Sequence, residues 1–177
     1  MKYLRRFVWY IASRLFLIIL ILGLVVSVFY YAMNATNIYV VLKDGMSLRA
    51  QTIMQMDEGD ELNRYFQQSY LEKDTELQDA RAGNSVYADY NVRGIDHRLE
   101  MGFLWLWPWE DTARVEITER IPAIDGRAKG TTAEALVAKG GSSALYPPAW
   151  PSHRYRVQLA KENGQWRIKS LTLLDGN

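Results

Sequence analysis

The sequence predicts an α+β fold, with one amino-terminal transmembrane helix followed by a curved antiparallel sheet that has helices packed on one face. Three observations carry this expectation. No charge occurs from Leu15 to Leu42, apolar residues then recur at helical spacing, and beyond Gly83-Asn84 they alternate with polar ones up to an Asn163-Gly164 turn. The chain has 177 residues, 21 Lys+Arg against 20 Asp+Glu, two His and no Cys. That length suits one modest domain plus an anchor. Without Cys there are no disulfides, thiolate zinc sites, cysteine nucleophiles or lipid-modified cysteines, so packing must supply every staple.

The stretch from Leu15 to Met33 holds 19 residues. At about 1.5 Å per residue it matches the roughly 30 Å depth of a hydrocarbon core, where only a helix satisfies its own backbone. Lys2, Arg5, Arg6 and Arg14 precede it and the first acid is Asp44. The positive-inside rule then places the amino terminus in the cytoplasm and the remainder outside. Trp9 and Tyr10 sit among those cations, and Phe29, Tyr30 and Tyr31 close the far end, as rings do at the two membrane–water interfaces. Arg5, Arg6, Trp9, Tyr30 and Tyr31 are therefore the expected anchor residues. The apolar core is longer than that of a secretory signal, and Met33-Asn34-Ala35 makes a poor cleavage site, which favours a retained helix. Residues 1–14 read as a cytoplasmic or interfacial segment, 15–36 as the span and 43–177 as the outer domain. Setting the four leading cations aside leaves 17 basic against 20 acidic residues, a balance of about −3 that offers nothing to nucleic acid.

In the outer domain, Met46, Ala50, Ile53 and Met54 share a helical face, with Asp44 or Ser47 as a cap and an end before Gly59. A second helix is expected from about Asp60, with Leu62, Tyr65, Phe66, Ser69 and Tyr70 on one side. Alternation predicts strands over Val86 to Val92, His97 to Trp107 and Thr112 to Ile121, the last with Ala113, Val115 and Ile117 facing inward. Residues 125–151, rich in Gly, Ala, Ser, Thr and Pro, read as a long surface loop with a helical turn over Thr132 to Ala138. The final segment predicts a type I′ hairpin, in which Tyr155, Val157 and Leu159 face Trp166 and Ile168. Its alternation slips at Ser170, which predicts a bulge or a sheet covered on both sides.

Helices containing Leu62-x-x-Tyr65-Phe66, followed by antiparallel strands that end in Asn163-Gly164-x-Trp166-x-Ile168, resemble the cone-shaped nuclear-transport-factor-like superfamily from about Met46 to Leu174. With a single amino-terminal span, the arrangement looks like the bitopic assembly components of type IV secretion and conjugation machines. The resemblance implies an extracytoplasmic module that binds its neighbours. The long insertion at 125–151 departs from that pattern.

Phe103-Leu-Trp-Leu-Trp-Pro-Trp109 is the most unusual stretch, with Phe103, Trp105, Trp107 and Trp109 on one face of an extended chain and Leu104 and Leu106 on the other. It reads as core, as a surface for protein or membrane, or as a sugar-stacking platform. With Tyr146 and Trp150 from the long loop, these aromatic residues form the expected partner-binding set. Catalysis finds little support. Tyr90, His97 and Glu100 are its nearest candidates, yet His97 and Glu100 would face opposite ways in a strand. Lys139-Gly140-Gly141 lacks the spacing of a phosphate loop, and His153 lacks companion ligands at metal-binding spacing. The expectation is a non-catalytic module without a cofactor. Its partners would be the lipid bilayer, other membrane or envelope proteins and a second copy of itself, but no nucleic acid. The alternative is a small-molecule or peptide receptor whose interior would be lined by Tyr90, Trp105 and Trp166.

Overall fold

The structure, a computed structural model, describes residues 2–174, apart from the side chains of Lys2, Leu4 and Arg5. A single helix, α1 (Lys2–Gln55), runs through 54 residues. The sequence places a fresh helix start near Asp44 or Ser47, but α1 passes both without a break. Within it Gly45 serves close approach, since a Cβ there would come within 2.9 Å of the Tyr65 Cβ. The chain leaves α1 through Met56, held at φ 56°, and Gly59, at φ 70°, then leads into the next turn.

The helix expected over Leu62 to Tyr70 is divided into a 3-10 turn at Asp60–Arg64 and a short α2 (Gln68–Leu71). Between them Phe66 forms an isolated bridge with Ile168. The Gln67 N–H donates to the Ile168 carbonyl at 2.9 Å, and the Ile168 N–H donates to the Tyr65 carbonyl at 2.7 Å. Pairing to a strand edge outweighs local helical propensity here. A further helix, α3 (Thr75–Arg81), which the periodicity did not signal, is capped by the Asp74 carboxylate accepting from the Leu77 N–H.

Six antiparallel strands follow: β1 (Tyr90–Ile95), β2 (Arg98–Met101), β3 (Thr112–Arg120), β4 (Ile124–Ala128), β5 (His153–Glu162) and β6 (Gln165–Leu173). The order β2-β3-β5-β6 makes one sheet and β1-β4 a second. The two are joined across a bend, since Ile95 pairs with Ile124, the Asp96 N–H donates to the Ala123 carbonyl and Arg98 pairs with Arg120. Ala113, Val115 and Ile117 are buried on one face of β3, as their alternation predicts. Two strand expectations change. Residues 85–89 form turns that bury Tyr87 and expose Val86, and β2 ends at Met101, short of Trp107. The expected loop at 125–151 contains β4 and α4 (Ala133–Gly140), the latter close to the predicted helical turn.

At the hairpin Asn163 and Gly164 have φ of 51° and 80°, the paired positive values of a type I′ turn. Gln158 pairs with Ser170 and Leu159 with Ile168, so Lys169 is an extra residue. This bulge returns Leu171 and Leu173 opposite Val157 and Tyr155, which resolves the slip in alternation.

Burial along α1 changes abruptly. Every described side chain from Arg6 to Tyr30 is exposed, whereas Asn34, Ile38, Leu42 and Met46 are buried at one-turn spacing. Ile38, Leu42 and Met46 belong to the same core as Leu62, Phe66, Ile117, Val157, Leu159 and Ile168. The polar Asn34 is satisfied within it, its Oδ1 accepting from the Trp166 Nε1–H at 3.1 Å.

Candidate functional site

After β2 the Gly102 N–H donates to the Glu116 carbonyl, and the chain then leaves the sheet. Leu104 and Leu106 are only 3% exposed, whereas Phe103 is 83%, Trp105 62%, Trp107 46% and Trp109 73% exposed. The leucines hold the segment on the core and the opposite face stays bare. The rings form a row, with Phe103 stacked on Trp105 at 6.5 Å, Trp105 edge-on to Trp107 at 5.4 Å and Trp107 stacked on Trp109 at 5.2 Å. A tight turn ends it. The Glu110 N–H donates to the Trp107 carbonyl, and the Glu110 carboxylate accepts from the Trp107 N–H at 2.9 Å.

This aromatic loop lies beside α1. The Tyr31 hydroxyl donates to the Leu104 carbonyl at 2.6 Å, and its ring is 6.5 Å from Trp105. Leu24, Ser27 and Val28 of α1 share an apolar groove of about 340 Å³ with Trp105, Leu106, Trp107 and Pro108. Of the other anchor residues, Arg6, Trp9 and Tyr30 are exposed on α1, while the Arg5 side chain lies outside the described residues.

The long loop's two aromatic residues separate. Tyr146 is exposed, with the Arg127 guanidinium 5.7 Å over its ring, beside a groove that includes Asn91, Arg93 and Lys129. Trp150 is buried, stacked on Tyr87, and its Nε1–H points to the Glu119 carboxylate at 3.4 Å, which removes it from any exposed docking surface.

Tyr90, His97 and Glu100 do not converge. The Tyr90 hydroxyl donates to the Ala144 carbonyl, Glu100 lies exposed 3.5 Å from Arg120, and His97 Nε2 is 3.0 Å from the Glu119 carboxylate. His97 and Glu119 are both buried, and sequence reasoning missed the pair because Glu119 sits 22 positions away on β3. The signal was present: Glu119 continues the inward parity of Ala113, Val115 and Ile117, where a carboxylate needs a partner. Tyr90, Trp105 and Trp166 do not line a shared interior, because Trp105 is exposed beside Tyr31 while Trp166 is buried against Asn34. Among the described residues no three His, Asp or Glu side chains are grouped to hold a metal.

A second buried charge cluster ties α1 to α3. Arg49 donates from Nε to Asp74 at 2.6 Å, and from Nη2 to Asp74 at 2.9 Å and to Glu76 at 2.8 Å. Burial pushes the Asp74 carboxyl up, but bonds from Arg49, the Leu77 N–H and the Tyr70 hydroxyl outweigh it and hold the group below its ordinary value. Burial raises the Tyr70 and Tyr155 hydroxyls far above the ordinary tyrosine range, so both are neutral at physiological pH. The cluster works as a clamp between α1 and α3, with Glu76 at its exposed edge and one guanidinium nitrogen of Arg49, Nη1, without a partner among the described residues.

No family model, no curated protein and no solved structure matches this chain.

Proposed function

We propose that this is a single-pass membrane protein whose carboxyl-terminal α+β domain works outside the membrane as a non-catalytic interaction module of a surface or secretion assembly. One observation carries the reading. α1 extends unbroken from a bare apolar stretch, long and apolar enough to cross a bilayer, into the core of the domain. A folded body fixed rigidly to its anchor suits a component that presents a surface to neighbours at set height and orientation. An enzyme acting on soluble substrates gains nothing from that constraint. The four leading cations support a cytoplasmic amino terminus. The order of elements, three helices before the first strand and α4 set between β4 and β5, is the ground on which we liken the domain to the nuclear-transport-factor-like cone. The exposed Tyr146 and Arg127 beside β4 are the surface we assign to protein neighbours.

The absence of native Cys makes topology directly testable. In intact cells, Gly130→Cys should react with a membrane-impermeant maleimide and Ser13→Cys should react only after lysis. The reverse pattern inverts the orientation, and labelling of both in intact cells removes the span. A photocrosslinker at Tyr146 should then capture discrete protein adducts in membranes. The assembly reading fails if none forms there or at Arg93.

A receptor role has one favourable observation, an open groove of about 280 Å³ between α3 and the turns before β1, lined by Glu76, Asp79, Tyr87, Trp150 and His153 among others. Glu76→Ala and Asp79→Ala would abolish ligand-dependent stabilisation on that reading, while leaving crosslinks from Tyr146 intact.

A further inference from the structure

We infer that the loop from Phe103 to Trp109 is a second membrane contact, a wedge of rings that enters the outer leaflet beside the anchor and sets how the domain sits on the lipid surface. The inference rests on the proposed span and extends it to a part of the chain about seventy residues further on.

Four rings with one bare face require an occupant, because water is a poor solvent for a contiguous aromatic row. The loop's position selects which occupant. Its rings continue the exposed apolar surface of α1 without interruption, through Tyr31 to Trp105 and through Val28 and Leu24 to Trp107 and Pro108. Measured along α1 at about 1.5 Å per residue, Val28 lies roughly 7 Å and Leu24 roughly 13 Å below Met33, the outer end of the apolar stretch read as the span. A loop sharing a groove with both residues cannot stay in water when the span is in lipid. A depth of several ångströms is also where Trp is favoured, its indole body among acyl chains and its N–H among headgroups.

The loop's polar groups fit the same placement. The Tyr31 hydroxyl and the Leu104 carbonyl satisfy each other at 2.6 Å, and the Glu110 carboxylate folds back onto the Trp107 N–H. Each removes polar groups that lipid would leave unpartnered. Glu110 and Asp111 follow the rings directly and limit the depth, since carboxylates hold the turn at the headgroup level. Arg114 lines the groove beside Phe103 at the other end of the row, placing a cation where lipid phosphates lie. A protein partner would have to reach the same rings through the lipid around Leu24 and Val28.

The test uses the full chain in vesicles of phosphatidylcholine and phosphatidylglycerol, with one nitroxide-labelled cysteine per variant: Pro108→Cys, Val25→Cys within the span, and Gly130→Cys on the far loop. Collision with oxygen and with a water-soluble nickel complex reports depth. The expected order is Val25 deepest, position 108 a few ångströms below the phosphates with an oxygen-to-nickel ratio several-fold above that at position 130, and Gly130 in water. Trp109→Cys repeats the measurement from the neighbouring position in case Pro108→Cys does not fold. A water-like ratio at 108 and 109 with Val25 still deep overturns the wedge and leaves the anchor standing. A label at 108 shielded from both reagents means a second copy covers the rings, which also overturns it. Val25 in water removes the anchor itself, and the wedge with it.

Discussion

The two halves of α1 share one backbone and one hydrogen-bond ladder, yet they meet opposite surroundings. From Leu15 to Tyr30 the helix is apolar on all sides and bare, while from Asn34 to Gln55 it is amphipathic, burying Ile38, Leu42, Met46, Ala50 and Met54 on one side and exposing Asn37, Tyr39, Lys43 and Asp44 on the other. A helix apolar all round shows no single face to one partner and is covered on every side, by a protein core or by lipid. A one-sided helix must find a partner, and here that partner is the core shared with Phe66 and Ile168. The polar residues show the same division. Asn34, Arg49 and Thr52 are buried in the second half, with Asn34 and Arg49 bonded inside the domain, whereas the first half has no buried polar side chain among its described residues.

This contrast can be broken most severely at the clamp. Asp74→Ala leaves the Arg49 guanidinium buried without its bidentate partner and should cost about 3–5 kcal/mol of domain stability, read by denaturant unfolding in detergent. The same group sets a pH dependence. Because the folded domain holds the Asp74 carboxyl below its unfolded value, its stabilisation is complete above the unfolded carboxylate range and disappears as pH falls through the lower, folded value. Unfolding midpoints should therefore drop in acid for the natural chain and drop less for Asp74→Asn. Next in size, Leu42→Ala should cost about 2–5 kcal/mol through a cavity in the core. Leu22→Ala, the same change twenty positions earlier on the same helix, should leave the unfolding midpoint within about 0.5 kcal/mol. Equal losses would mean that the first half packs on protein after all. The mildest of the destabilising changes is expected at the junction. Asn34→Ala strands the buried Trp166 Nε1–H and should cost about 1–3 kcal/mol, with a change in Trp fluorescence that Asn34→Gln partly restores.

How much of this was legible in the sequence depends on whether the signal was local. The Asn163-Gly164 turn, the inward face of β3 and the slip at Ser170 could all be read, because turn chemistry and alternation act within a few residues. The segment Ile124-Asp-Gly-Arg-Ala128 gave no strand signal. It is a strand because β1 lies alongside it, with Gly126 so close to Asn91 and Pro147 that a Cβ there would come within about 3 Å of both. The start expected at Asp44 or Ser47 failed for a related reason, since capping residue types also occur inside a helix that continues through them. In the candidate site, the two-faced pattern of Phe103 to Trp109 was visible, but which face stays bare was not. That follows from Leu104 and Leu106 reaching the core and Tyr31 holding the loop to α1, contacts made across 73 positions.

The unbroken passage from span to core has a mechanical result. From Asn34 to Gln55 the rod is about 33 Å long. On the proposed reading, a lean of about 20°, ordinary for single spans, would carry its far end sideways by roughly 11 Å. Thicker and thinner bilayers favour different leans, so the body at the top would swing with membrane thickness, turning a property of the lipid into a displacement that a neighbour can feel.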